Sequence, residues 1–326
     1  MEAMVAEFLE RIEFGPMQEH ENMAVLPLLA DVPAGPDYRT MSEAMSEGLL
    51  SVVEVDAEGS VPELKVTNVA DVSVLLLDGE ELMGAKQNRV LNTSILLGVK
   101  SETIIPVSCT EHGRWSYSSP VFSDSEVVMS PSLRMRKVRS VSASLEESGR
   151  YSSDQREVWD RVARLSEAAG ARSSTGAMRD TYRSRGSDLD VYLRAFKAVP
   201  RQKGLLAMIR GNAVGFDVVS REDAYVGLHD KLVRSYAMDA LVSAEKKGQK
   251  GSAEVARTFV RNAAACEGTK HQSVGQGWDQ RFQGTEMVGS ALICEDAVIH
   301  AAFFRADDSE EAGRMPSPAT RRRYRA

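Results

Sequence analysis

The sequence predicts an α+β protein, and three observations carry that expectation. The first part of the chain is a series of short, strand-like apolar runs with short connections. The middle, and the stretch from about 221 to 247, place apolar residues at helical spacing. Strand-like runs return at the end. A β-rich N-terminal part and C-terminal hairpins are therefore expected to share one core with a long helix, with a basic helical insertion across one side. A single α+β domain then covers residues 1–305: an acidic β-rich part (1–126), the basic helical insertion (127–203) and a hairpin–long helix–hairpin part (204–305). The tail 306–326, with RRRYR, is expected to be disordered.

In chain order, Met4, Phe8 and Ile12 recur at four-residue spacing and predict a helix over 2–12. MAVLPLLA (23–30), LLSVVEV (49–55) and ELKVTN (63–68) read as strands, with helical turns at TMSEAMSEG between the first two. VSVLLL (72–77), EELM (80–83), VLNTSILLGV (90–99) and TIIPVSCT (103–110) follow. Asp78-Gly79 predicts a two-residue hairpin turn between the first two of these. Ser116–Ser132 lacks periodicity and reads as a linker. In the middle, Ser152 and Gln155 fit a capping box ahead of Val158, Val162, Leu165 and Ala169, and Ser187 with Asp190 marks a second start ahead of Leu189, Leu193 and Phe196. Gly211-Asn212 predicts a hairpin turn, and Ser220 with Asp223 a cap for the long helix. Tyr225, Leu228, Leu232, Tyr236, Ala240 and Ala244 form that helix's stripe. A helix over about 252–265 and two strands, MVGSALIC and AVIHAAFFR, about Glu295-Asp296 complete the chain.

The 326 residues are 43% hydrophobic and 27% charged, as in a folded soluble protein. No apolar run approaches the roughly 18–20 residues that span a bilayer. No targeting signal is read, and three widely spaced cysteines form no disulfide framework; a cytoplasmic location and no membrane association are expected. Charge is uneven: residues 1–126 hold 7 basic and 22 acidic side chains, residues 127–203 hold 16 and 9, and residues 204–326 hold 17 and 16. Either the middle packs against the first part, within the chain or in a homo-oligomer, or it presents a basic face to a phosphate-bearing ligand. The acidic remainder argues against nucleic acid as a general partner.

LLLDGEELMGAKQNR (75–89) has two glycines at phosphate-loop separation. The lysine, however, comes one place late, Gln87 replaces the hydroxyl, Glu80 and Glu81 would sit in the cradle, and the residues after it are β rather than helical. The stretch from Asp78 to Trp115 is nonetheless dense in polar side chains among short strands. An extended 80–89 would put Glu81, Gln87 and Arg89 on one face, with Glu80, Lys86 and Asn88 on the other. A salt-bridged surface hairpin would explain this; so would a pocket for an anionic ligand. In the pocket reading, Lys86, Arg89 and Arg114 hold negative charge, Gln87, Asn88 and Asn92 read hydroxyls or a base, Trp115 stacks on a ring, and His112 is a further ligand-binding candidate. Glu81 and Glu111 are the candidate catalytic residues, as general base, should their strands pair. Cys109 is a weaker candidate nucleophile. The Cys–His pairs 109/112, 266/271 and 294/300 lack zinc-site spacing, so no metal site is expected, and the sequence specifies no cofactor. His300 reads as a core histidine, and Tyr236 with Asp239 as a structural pair.

At these residues a resemblance enters. LLLDGEELMGAKQNRVLNTSILL followed by IPVSCTEHGRW resembles the signature of the ARG-and-rhodanese-phosphatase-superfamily-associated protein family, where ARG stands for ADP-ribosylglycohydrolase. The resemblance extends to LVRSYAMDAL (232–241) and GSALICEDAVIHAAFF, and so covers most of residues 15–305. It implies an association with enzymes of ADP-ribose and NAD-derived nucleotide metabolism, and supplies no catalytic residues. The expected function is to bind an ADP-ribose-like or other nucleotide-derived small molecule around residues 78–115, with hydrolysis or transfer left open. The alternatives are a non-enzymatic assembly protein and a nucleic-acid accessory protein.

Overall fold

A computed structural model describes residues 3–56, 59–243 and 250–306. The long helix is described to Val242; residues 244–247, over which it was expected to continue and which include Ala244, and residues 307–326 of the expected tail lie outside the described residues.

Among the described residues the strands form three sheets. The largest is antiparallel and has nine strands. Its spatial order is Ile12–Phe14, Met23–Ala30, Gln202–Ile209, Asn212–Val219, Ala297–Arg305, Met287–Cys294, Trp278–Gly284 and Glu267–Gln272, with Gln18–His20 also paired to Met23–Ala30. The N-terminal strands and the C-terminal hairpins thus lie in one sheet, as a fold of mixed α+β type with a shared core requires. Both faces are covered. Helices Ala3–Glu10 and Ala253–Ala264 pack on one, burying Val5, Phe8 and Phe259 against Leu26, Phe216 and Phe303. Helices Pro131–Ser148 and Glu222–Val242 pack on the other, burying Val138, Leu232 and Tyr236 against Val25, Leu205 and Phe304. Two buried faces explain why MAVLPLLA and AVIHAAFF are continuous apolar runs rather than alternating ones. Pro27 sits inside this sheet opposite the break between Ile12–Phe14 and Gln18–His20, where its missing N–H leaves no ladder bond unmade.

The second sheet has six strands, in the order Phe122–Val128, Glu80–Gly84, Arg89–Leu91, Ser101–Cys109, Glu63–Asn68, Leu50–Glu54; the third has three, Ile95–Leu97, Ser73–Leu76, Tyr38–Thr40, the last pair parallel. They share a core of Val52, Val66, Leu76, Leu82, Leu91, Ile95 and Val107. The short helix Met41–Ser46 closes one end, held by a capping box in which Thr40 and Glu43 satisfy each other's backbone N–H.

Several local expectations are corrected. Asp78-Gly79 is a turn, but it joins strands of two different sheets, so there is no hairpin. Gly79 adopts φ +85° and a Cβ there would stand 2.8 Å from Arg134 Cδ. The hairpin turn near 211 is Arg210-Gly211, both at positive φ, one residue earlier than expected. Asp154 rather than Ser152 caps Gln155–Ala168, because the Gln155 side chain is bonded to the backbone of Cys109. Neither the helix Gly186–Ala195 nor Glu222–Val242 has a side-chain cap: Ser220 bonds Tyr38 and Asp223 bonds Arg221. VLNTSILLGV divides between two sheets, and the expected linker contains the strand Phe122–Val128. The Glu295-Asp296 hairpin and the strand boundaries of ELKVTN are as read.

Candidate functional site

The chain reverses between Glu80–Gly84 and Arg89–Leu91 through Gly84 (φ +131°) and Ala85 (φ +39°). The register pairs Leu82 with Arg89 and Glu81 with Val90. Directly paired residues of antiparallel strands point to the same side. Arg89 and Glu81 therefore face opposite sides of the sheet. The expectation that they share a face fails because it counts straight through a segment that turns back.

On one side Arg89 is fully buried. Its Nη1 donates to the Gln87 carbonyl at 3.0 Å, and its Nη2 lies 3.7 Å from Glu54 Oε1. Arg89 Nε and Nη2 and Glu54 Oε2 have no hydrogen-bond partner among the described residues. The Lys86 ammonium lies 5.4 Å from the Trp115 ring centre and 5.3 Å from that of Tyr117, and the Arg89 guanidinium carbon is 5.6 Å from Trp115. Trp115 and Tyr117 are 48% and 51% exposed, so this aromatic roof faces solvent. Glu54 was not among the expected site residues. Its signal was present: in LSVVE, Leu50, Val52 and Glu54 take the inward positions, and a carboxylate in an inward apolar series needs a cation.

Arg114 and Glu111 hold the turn together. Arg114 Nε donates to both Glu111 oxygens at 3.0 Å, Nη2 to Glu111 at 2.6 Å and to Asn88 Oδ1 at 3.2 Å, and Nη1 to the Ala85 carbonyl at 2.6 Å. Every guanidinium nitrogen of Arg114 is engaged within the protein, so its expected grip on a ligand is taken by the loop itself. Glu111 also accepts from Asn88 N. Partial burial would raise its carboxyl, but the Arg114 contacts dominate and hold it below the usual carboxylate range, which makes it a weak base. Burial pushes the Cys109 thiol up to about 11 despite nearby Arg89; it is a thiol, not a thiolate, near neutrality.

Glu81, on the other side, is fully buried. Thr110 Oγ1 donates to its Oε1 at 2.6 Å. Burial raises its carboxyl to about 7, against hydrogen bonding from Thr110 and Ser125. Glu81 accepts from Thr110 and feels the negative charge of Glu111, whose own oxygens are taken by Arg114 and Asn88. Asn92 also faces away from Arg89: it donates to the Tyr151 carbonyl at 2.9 Å and accepts from Ser108. His112 stands on a different rim, its ring 4.5 Å from Trp159, beside a cleft with Arg156, Asp160 and Arg172. The residues brought together are Lys86, Gln87, Asn88, Arg89, Glu111, Arg114 and Trp115, with Glu54 and Tyr117 added.

Beneath this surface lies a buried ionic network. Arg134 grips Asp217 bidentately at 2.7 and 2.9 Å and reaches Asp78 at 3.2 Å; Lys137 pairs with Asp78 and donates to the Leu91 carbonyl at 2.8 Å. Tyr236 donates to Asp217 at 2.8 Å, so its carboxylate partner is not Asp239, which instead accepts from Ser132. His300 spans Asp217 (3.2 Å) and Ser94 (2.8 Å), and Ser94 Oγ accepts from Asp78 N. Serine, imidazole and carboxylate are in line here. All are buried, though, and Asp217 is committed to Arg134 and Tyr236, so the chain Ser94–His300–Asp217 is core structure. Burial would raise the Asp217 carboxyl; Arg134 and His300 hold it far below its usual range instead. The three cysteines are free and buried, and no group of three or more His, Cys, Asp or Glu among the described residues is placed to hold a metal ion. No described helix is long and apolar enough to cross a membrane.

These features define an α+β protein whose six-stranded sheet carries a polar face of unmatched buried donors under exposed aromatic rings. The chain belongs to the ARG and Rhodanese-Phosphatase-superfamily-associated Protein domain family, which it matches over residues 11–304. No curated protein and no solved structure matches it.

Proposed function

We propose that the Arg89 face binds a small anionic molecule that also carries a planar ring, of the ADP-ribose-like or other nucleotide-derived class. One observation carries the reading: a fully buried guanidinium with two nitrogens lacking hydrogen bonds, beside Lys86 and under Trp115 and Tyr117. A buried donor left unmatched costs about 1–3 kcal/mol, more when charged. A phosphate or carboxylate entering this space would recover that cost, and exposed Trp and Tyr rings offer a stacking surface for a base. The family description, which names ARG as an associate, favours a ligand from ADP-ribose chemistry. Binding is supported better than turnover. Glu81 faces the other side of the sheet, Glu111 is held ionised by Arg114, and Cys109 is protonated.

The test is thermal unfolding against ADP-ribose, NAD, ADP and AMP, each of which carries a planar base. A ligand at a hundred times its dissociation constant stabilises by about 2.7 kcal/mol, a shift of a few degrees for a chain of this size. The shift is expected with wild type and is lost in Trp115→Ala, at an exposed roof position, and in Lys86→Ala, each variant being compared with its own ligand-free midpoint. A panel without any shift overturns the reading.

A further inference from the structure

A second charged site lies on the Glu81 side. Strand Phe122–Val128 and helices Met178–Ser184, Gly186–Ala195 and Glu222–Val242 enclose a cleft of about 250 Å³. Arg179, Arg183 and Arg234 all line it, with Ser125, Glu126 and Asp190. Among the described residues, the side chains of Arg179 and Arg183 form no hydrogen bond or ion pair. Arg234 Nη2 donates to Asp190 at 2.9 Å, but its Nε is buried without a partner. Three arginines and two acidic residues therefore line one small cleft. Two of the lining residues, Ser125 and Arg179, also act on the buried Glu81 carboxyl.

Like charges converge at a cost unless an anion sits among them. A guanidinium offers paired N–H donors at the spacing of phosphoryl oxygens, and several around one point match a phosphoryl group rather than a flat ring. The cleft volume suits a phosphate or a phosphorylated sugar and is too small for a dinucleotide. We propose that this cleft is a separate binding site for the phosphoryl group of a small molecule, held by Arg179, Arg183 and Arg234. It is independent of the Arg89 face, which lies across the sheet.

The experiment is isothermal titration of the full chain with inorganic phosphate and with ribose 5-phosphate. Wild type is compared with the double variant Arg179→Gln/Arg183→Gln and with Trp115→Ala. The double change alters one half-buried and one exposed side chain, and an unchanged thermal unfolding midpoint verifies that the fold survives it. Saturable one-to-one binding that weakens at least tenfold in the double variant, and stays within twofold in Trp115→Ala, is the expected result. Tighter binding of ribose 5-phosphate than of phosphate extends the site to the sugar; equal binding confines it to the phosphoryl group. Absence of saturable binding by wild type overturns the proposal. So does binding that survives in the double variant, and binding lost only in Trp115→Ala would move the phosphate to the Arg89 face.

Discussion

Glu81 shows how one side chain's setting departs from its sequence context. Its neighbour Glu80 is ionically matched by Lys231 at 2.8 Å, and Lys231 also holds Asp124, so that carboxylate is anchored. No ion pair holds Glu81 among the described residues, and burial lifts it from 4.5 to about 7. A raised carboxyl favours the folded state while protonated. Its contribution is fully present below pH 4.5 and is lost as pH rises through about 7, a swing of about 3 kcal/mol for this single group. Glu81→Gln removes the ionisation and keeps an acceptor for Thr110. Urea unfolding of both proteins from pH 4 to 8 is expected to show the variant gaining on wild type as pH rises, with the curves separating mainly between pH 4.5 and 7. Parallel curves would show that Glu81 stays charged when folded.

At the scale of elements, the turn Asp78-Gly79 directs the chain from the three-stranded to the six-stranded sheet. Gly79 combines φ +85° with close approach to Arg134, so Gly79→Ala adds backbone strain and displaces the arginine. A loss of about 2–4 kcal/mol is expected by chemical denaturation. A loss below about 0.5 kcal/mol would mean that neither constraint operates. The same turn explains a misreading. Asp-Gly is a local signal for reversal, but it carries no information on whether the flanking strands pair with each other. Elements written as continuous apolar runs, Met23–Ala30 and the 287–305 hairpin, or as clear alternation, Glu63–Asn68, were legible. Glu267–Gln272 was not, because an edge strand of EGTKHQ, exposed on both faces, has no apolar alternation to read.

Over the whole molecule, Arg134 and Lys137 account for part of the charge asymmetry. The basic middle sends two cations inside the protein, to Asp78 of the acidic first part and Asp217 of the last. Arg134 thereby ties the nine-stranded sheet to the junction of the other two. Arg134→Met leaves two buried carboxylates short of charge, and a loss of about 3–5 kcal/mol in urea unfolding is expected, partly restored by adding Asp217→Asn. A loss under about 1 kcal/mol would mean that water replaces the guanidinium. By itself the sequence determined the α+β class, the strongest strands and helices, and the region of the polar face. Those depend on periodicities and turn chemistry spanning two to four residues. Only the tertiary structure decided that Glu54 joins Arg89, that the reversal at Gly84 and Ala85 turns Glu81 away from it, and that Arg134 meets partners 56 and 83 residues distant. Which charges end up paired in low dielectric is settled by how distant segments pack, and no local pattern encodes that.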